Sequence, residues 1–164
     1  MNTAVKAGLM IGVFCTIWMT VMGVTGWYRD PVLLNLFYIV IFIEIGVLVW
    51  GLRKEAAAGA GYGALVGRGT MMAVVGAVVI FLGSLLFTMV LYPHYFEELR
   101  AIGEEMMRAQ GVPEAEARKM LDAQAAMQTP VVNALTGSIA TVITGLVASM
   151  IIALFVRKKT SPAG

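Results

Sequence analysis

One cysteine and one histidine are present among 164 residues. Cys15 therefore has no partner for an intrachain disulfide, and redox compartment cannot be read from thiols. One Cys with one His cannot supply a Cys/His metal cluster either. Charge is equally scarce. Asp, Glu, Lys and Arg make up 13% of the chain, against about 25% in soluble domains. The net charge of +2 is too small, and the basic residues too dispersed, to suggest a nucleic-acid partner. No Ser-His-Asp order, zinc-ligand spacing or nucleotide fingerprint occurs. The glycine-rich "AAAGAGYGALVGRG" lacks the lysine followed by Ser or Thr of a phosphate cradle, and no strand precedes it. It is expected to be a flexible loop.

What the chain has instead is apolar length. Hydrophobic residues make up 59% of it, and its mean hydropathy is +0.83. Four runs stand out, at residues 7–27, 32–52, 70–91 and 131–156. A helix needs roughly 20 apolar residues to cross the hydrocarbon core, and each run meets this. The first run exits through "GWYRDP", which offers no small-x-small cleavage site, so it reads as a retained span rather than a signal sequence. The expected fold is all-α: an integral membrane four-helix bundle forming one domain over 1–164. The lipid bilayer is its first partner. "YRDP" predicts a tight turn and an antiparallel pairing of the first two spans.

Residues 93–128 are polar and read as an extramembrane helical hairpin. Pro93 can open its first helix. Tyr95, Leu99, Ile102 and Met106 recur at helical spacing. Gly111 stops that helix and Pro113 starts the next. Ala117, Met120 or Leu121, and Gln124 form the expected inner stripe of the second. Arg53, Lys54 and Arg68 lie between spans two and three, and Arg157, Lys158 and Lys159 follow span four. The Lys/Arg bias places these regions, with both termini, in the cytoplasm and the hairpin outside.

Polar residues within the runs are few. Asn133, Gly137, Thr141, Gly145, Ser149 and Ala153 recur every fourth position and predict a helix-packing stripe, with Gly137, Thr141, Gly145 and Ser149 at its centre. Gly8, Gly12, Thr16 and Thr20 repeat the pattern in the first run, and Gly69, Ala73 and Ala77 begin it in the third. Glu44 is the one acid inside a run. It lies nine residues before Arg53, hence about 13 Å from the end of its helix. A charge at that depth costs at least about 2.5–3.5 kcal/mol. Counting the same depth on the other helices gives Cys15 and Thr16 on the first, Ala77 on the third, and Thr144 and Ser149 on the fourth. The expectation is a buried, neutral Glu44 hydrogen-bonded in a hydroxyl-lined niche.

The order of several segments resembles a known family. "KAGLMIGV" opens the chain, "GLRKE" follows the second span, and "GYGALVGRG" leads into the third. "LYPHYFEEL" leaves the third span, a helical "GVPEAEARKM" follows, then a "TP" entry to the fourth and a closing "RKK". In this order they resemble the bacterial four-span membrane proteins grouped as domain of unknown function 4199. The resemblance covers nearly the whole chain. It implies an integral inner-membrane protein, no established activity, and no functional residues to carry over.

The leading functional expectation is an accessory or assembly protein, packing through small-residue helix faces against itself, as a homo-oligomer, or against another membrane protein. The alternative is a small transporter or channel subunit that uses Glu44 for proton or cation coupling. An enzyme is the third reading, with no residues to nominate. No cofactor or metal is expected.

Overall fold

The computed structural model describes residues 2–125 and 128–157. Residues 126–127 of the expected hairpin, and Lys158 and Lys159 of the basic tail, lie outside the described residues. Six α-helices follow one another: α1 (Thr3–Thr25), α2 (Ile39–Ala57), α3 (Tyr62–Leu86), α4 (Tyr95–Ala109), α5 (Glu114–Ala125) and α6 (Pro130–Val156). The fold is all-α, with four helices long and apolar enough to cross a membrane and a helical pair between the third and fourth.

Side-chain caps set two of the span starts. Asn2 accepts a hydrogen bond from the Ala4 N–H at 3.2 Å and opens α1. Thr129 accepts from the Val132 N–H at 3.3 Å and opens α6, with Pro130 in the first turn. Each oxygen satisfies an N–H that the helix itself cannot pair.

The connections differ from the sequence reading in two places. Between α1 and α2 the chain forms two 3-10 segments, Trp27–Arg29 and Leu33–Tyr38, rather than one tight turn. Asp30 holds the step between them by accepting from Val32 N–H at 2.7 Å and Leu33 N–H at 3.2 Å. The second span counts Leu33–Tyr38 as its first turns. Between α2 and α3 the expected glycine-rich loop is mostly helix. Gly59 makes the turn at a φ of +90°, a left-handed conformation that only glycine adopts freely, and α3 starts at Tyr62. Local propensity disfavours helix at Gly63, Gly67 and Gly69. Tertiary packing overrides it: Leu65 is fully buried in the core, and Gly69 lies beneath Ser149 of α6.

The bundle is organised around α3. It packs in parallel along α1 on one side and antiparallel along α6 on the other, while α2 closes the far side against α1 and α6. Glycines bring these backbones together. A methyl group on Gly8 would sit 2.6 Å from the Met72 carbonyl oxygen, and one on Gly12 would sit 2.3 Å from Val79 Cβ. Gly76 faces Ile11, and Gly83 faces Thr16. Such close approach raises dispersion contact where no hydrophobic effect operates between helices.

Beyond α3 the chain tightens into a π-turn, Phe87–Leu91, closed by Tyr92 N–H donating to the Phe87 carbonyl at 2.8 Å. The α4–α5 hairpin follows. Gly111 follows the end of α4, as expected, at a φ of +77°. On α5 the inner side chains are Ala117 and Leu121, whereas Met120 and Gln124 are exposed. Leu121 comes against Gly103 of α4. The start of α1 and the end of α6 lie at one end of the bundle (the termini face), and the hairpin lies at the other (the hairpin face).

Candidate functional site

Glu44 is 4% exposed, although α2 turns Ile41 and Phe42 outward. Its side chain enters the crevice between α3 and α6. A methyl group on Gly145 would lie 2.8 Å from Glu44 Oε1 and 2.2 Å from Ala73 Cβ. The glycine thus leaves the space that the carboxyl occupies. From α1, Cys15 lies within electrostatic reach of Glu44, and its thiol points to the Val40 carbonyl, with Sγ at 3.9 Å. All four spans therefore meet at this acid. Glu44 Oε1 is buried without a hydrogen-bond partner.

The hydroxyl-lined niche is corrected by this geometry. Thr16 sits against Gly83 and Ser149 against Gly69, and the hydroxyl oxygen of each is itself buried without a partner. Thr144 is only half-buried. None of these hydroxyls bonds the carboxyl; its immediate surroundings are the small carbon groups of Gly145 and Ala73. Of the candidates named from sequence, Cys15 comes within electrostatic reach of Glu44. Thr16 meets Gly83, ten residues along α3 from the Ala73 beside Glu44, so it does not stand at the acid's level; and depth says nothing about azimuth, since neighbours on a helix point about 100° apart.

The fourth-position stripe is half right for the same reason. Gly145 and Ser149 face α3. Gly137 is exposed with nothing near it, and Thr141 turns its hydroxyl back onto the Gly137 carbonyl at 3.0 Å. Four residues turn an α-helix by about 400°, so a stripe of that spacing drifts about 40° per step. The buried face instead runs through Ala134, Ser138, Gly145, Ser149 and Ile152. Ser138 Oγ donates to the α3 carbonyl of Ala77 at 3.1 Å or to the Ala134 carbonyl at 2.8 Å. Its signal was present in the sequence: it lies seven residues before Gly145, a spacing that drifts only about 20°.

The interior is chemically asymmetric about Glu44. Towards the termini face, Leu48, Leu52, Leu65 and Met72 are all 0% exposed. They belong to one apolar cluster with Ala7, Val47 and Ile152. At the end of that cluster, Arg68 of α3 pairs with the buried Glu55 of α2. Towards the hairpin face the buried side chains include Ser84, Thr88 and Ser138. There a cavity of about 260 Å³ opens, lined by Met19, Asn35, Tyr38, Thr88, Tyr95 and Asn133 among others.

A family model described as "Protein of unknown function (DUF4199)" matches residues 6–158. The chain belongs to this family. No curated protein and no solved structure matches it. This DUF4199 protein is thus a small all-helical membrane protein. Among its described residues no three His, Cys, Asp or Glu side chains come together as a metal site would require.

At the hairpin face a second polar cluster fixes α4 to the α1–α2 connection. Arg29 grips Glu98 with two N–H groups, Nε to Oε2 at 2.8 Å and Nη2 to Oε1 at 3.1 Å, and the buried Tyr28 donates its hydroxyl to the same carboxylate. Arg29 first, and Tyr28 second, hold the Glu98 carboxyl below the usual carboxylate range. Burial pushes the Tyr95 hydroxyl up to about 12, helped by the nearby Tyr28. Rings of Tyr28, Phe87, Tyr92 and Tyr95 pack around this cluster. Nothing in the sequence pattern paired residues seventy positions apart.

Proposed function

We propose that this DUF4199 protein is a small ion-coupling membrane subunit in which Glu44 takes up and releases a proton or a small cation. The observation that carries the reading is a carboxyl held where four spans converge, with one oxygen unpartnered and a glycine opposite it. Ionisable groups inside a membrane protein are costly and characteristically belong to ion or proton routes. The accessory reading placed its weight on small-residue faces. Gly8, Gly12, Gly69, Gly76, Gly83 and Gly145 all meet helices of this same chain, which supports the coupling reading over it. The Lys/Arg bias further supports an inner-membrane location with both termini cytoplasmic. No catalytic role is assigned.

The test is proton flux in vesicles reconstituted with the full chain under a pH gradient. Glu44→Gln is expected to abolish protein-dependent flux while leaving helicity and detergent-resistant folding intact. Equal flux in the wild type and in Glu44→Gln would sink the proposal.

A second reading has one observation in its favour. Gly137 stays exposed on α6 with nothing near it, and a small residue facing outward fits a seam with another copy or another membrane protein. Under this reading Gly137→Leu lowers the oligomer size in mild detergent. Unchanged size would remove it.

A further inference from the structure

We infer that, in the conformation described, Glu44 exchanges its proton with water at the hairpin face alone, by way of the cavity lined by α1, the Leu33–Tyr38 segment, the Phe87–Leu91 turn, α4 and α6, and that the termini half of the bundle is an apolar seal. The inference deepens the coupling reading and rests on it for its biological meaning, though not for its geometry.

Three independent observations converge on it. The first is the orphaned oxygen of Glu44, an acid 4% exposed. The lone hydroxyls of Thr16 and Ser149 are also buried without partners, but an ionised carboxyl left so costs far more free energy than a hydroxyl unless water or an ion reaches it. The second is the distribution of the plug. Leu48 is one turn beyond Glu44 on the termini side of α2, Leu52 is two turns beyond, and both are 0% exposed, as are Leu65 and Met72 on α3. Four full side chains from two helices thus close that direction, with Met72 reaching Gly51 of α2, and the Glu55–Arg68 pair lies beyond them. The third is the cavity of about 260 Å³ on the opposite side. Phe37 and Tyr38, in the 3-10 segment that leads into α2, line it, seven and six residues before Glu44, hence about 10–12 Å away along the axis. Met19, one turn from Cys15 on α1, lines it too. Its amides and hydroxyls come from Asn35, Tyr38, Thr88, Tyr95 and Asn133. That lining hydrogen-bonds water and carries no charge to trap an ion on the way.

The other ionisable groups are few. Cys15 on α1 is the titratable side chain facing Glu44. On α3 the neighbour is Ala73 and on α6 it is Gly145, and α6 contains no ionisable side chain at all. Tyr38 and Tyr95 line the cavity itself. In the exchange, hydronium from the hairpin side transfers a proton to a Glu44 carboxylate oxygen, a new O–H bond forms, and water is left. Release reverses these steps to the same side.

The experiment uses the full chain in vesicles of a single known orientation. The Glu44 carboxyl band is assigned in the infrared as the band absent from Glu44→Gln. The pH is then jumped on one side at a time. A jump at the hairpin face is expected to change the band in the fast phase, and a jump at the termini face is not. A fast response to the termini side, to both sides equally, or to neither overturns the inference. Two cysteine variants in a Cys15→Ala background give a readout that does not depend on the acid. Val40→Cys and Leu48→Cys sit one turn to either side of Glu44. A small membrane-impermeant thiol reagent at the hairpin face is expected to modify Val40→Cys at least an order of magnitude faster than Leu48→Cys is modified from either face. Comparable rates overturn it. The two proposals fail separately. Flux that depends on Glu44 with a termini-sided fast response sinks only this inference. A hairpin-sided response without Glu44-dependent flux sinks only the coupling function.

Discussion

Two glycines on one helix carry opposite expectations at the residue scale. Gly145→Ala would place a methyl group 2.2 Å from Ala73 Cβ and 2.8 Å from Glu44 Oε1. Neither the short Ala73 nor the helix behind it can yield cheaply, so a loss of about 1–3 kcal/mol is expected. Gly137→Ala meets nothing within 4 Å and is expected to gain about 0.5–1 kcal/mol from helix preference. Reversible unfolding in mixed micelles reads both, and equal effects would contradict the packing described. Glu98 carries the pH prediction. Its folded carboxyl lies below the ordinary glutamate range, which is near 4.3 in an unfolded chain. Its contribution to hairpin docking is therefore present above that value and lost as pH falls through the folded one. Tyr95 acts in the other direction: burial raises it to about 12, so its contribution is present below about 10 and lost as pH rises towards 12. Fluorescence of Trp27, beside Tyr28, is expected to change at both extremes, and Glu98→Gln to remove only the acid transition.

The pairing of α2 with α3 illustrates the element scale. Glu55 is buried in the last turns of α2, and its partner Arg68 is in the second turn of α3. Arg68→Ala leaves the acid buried and unpaired. A cost on the order of 1–3 kcal/mol is expected, kept at this modest level because Arg68 is half-exposed. Adding Glu55→Gln is expected to recover part of it, and thermal unfolding of the single and double variants measures the difference. Hydropathy alone made the four spans legible, because twenty apolar residues have few other fates. The start of α3 was not legible. Its glycines signal a loop, and only Leu65 and Gly69 packing against other helices makes them helical. The two 3-10 segments before α2 were hidden for a similar reason. Asp30 and the Trp18 indole, which donates to the Leu36 carbonyl at 3.0 Å, hold that path through contacts outside the local pattern.

Topology is the whole-molecule question. With the start of α1 and the end of α6 at one face, a single label fixes the orientation. A cysteine replacing Glu105, exposed on α4, in a Cys15→Ala background is expected to react with an impermeant reagent added to intact cells. A cysteine replacing Ala58, exposed at the α2–α3 turn, is expected to stay protected. The reverse pattern would invert the membrane orientation and, with it, the side from which Glu44 is reached. The tyrosine, arginine and glutamate cluster at the hairpin face links the α1–α2 connection to α4 and so keeps Tyr95 at the cavity.

Composition and run length by themselves determined the solvent and the number of spans, because these depend on hydrophobicity summed along the chain. They also determined that the acid is buried, since lipid offers a charge no alternative near mid-span. Direction belonged to the tertiary structure. Which side of each helix faces its neighbour turns on tens of degrees of rotation, and a four-residue spacing and a true 3.6-residue turn diverge within three steps. Only packing decided that Gly145 and Ala73, rather than Thr16, Thr144 and Ser149, receive the carboxyl. It also decided that leucines close one side of Glu44 and a polar cavity opens on the other.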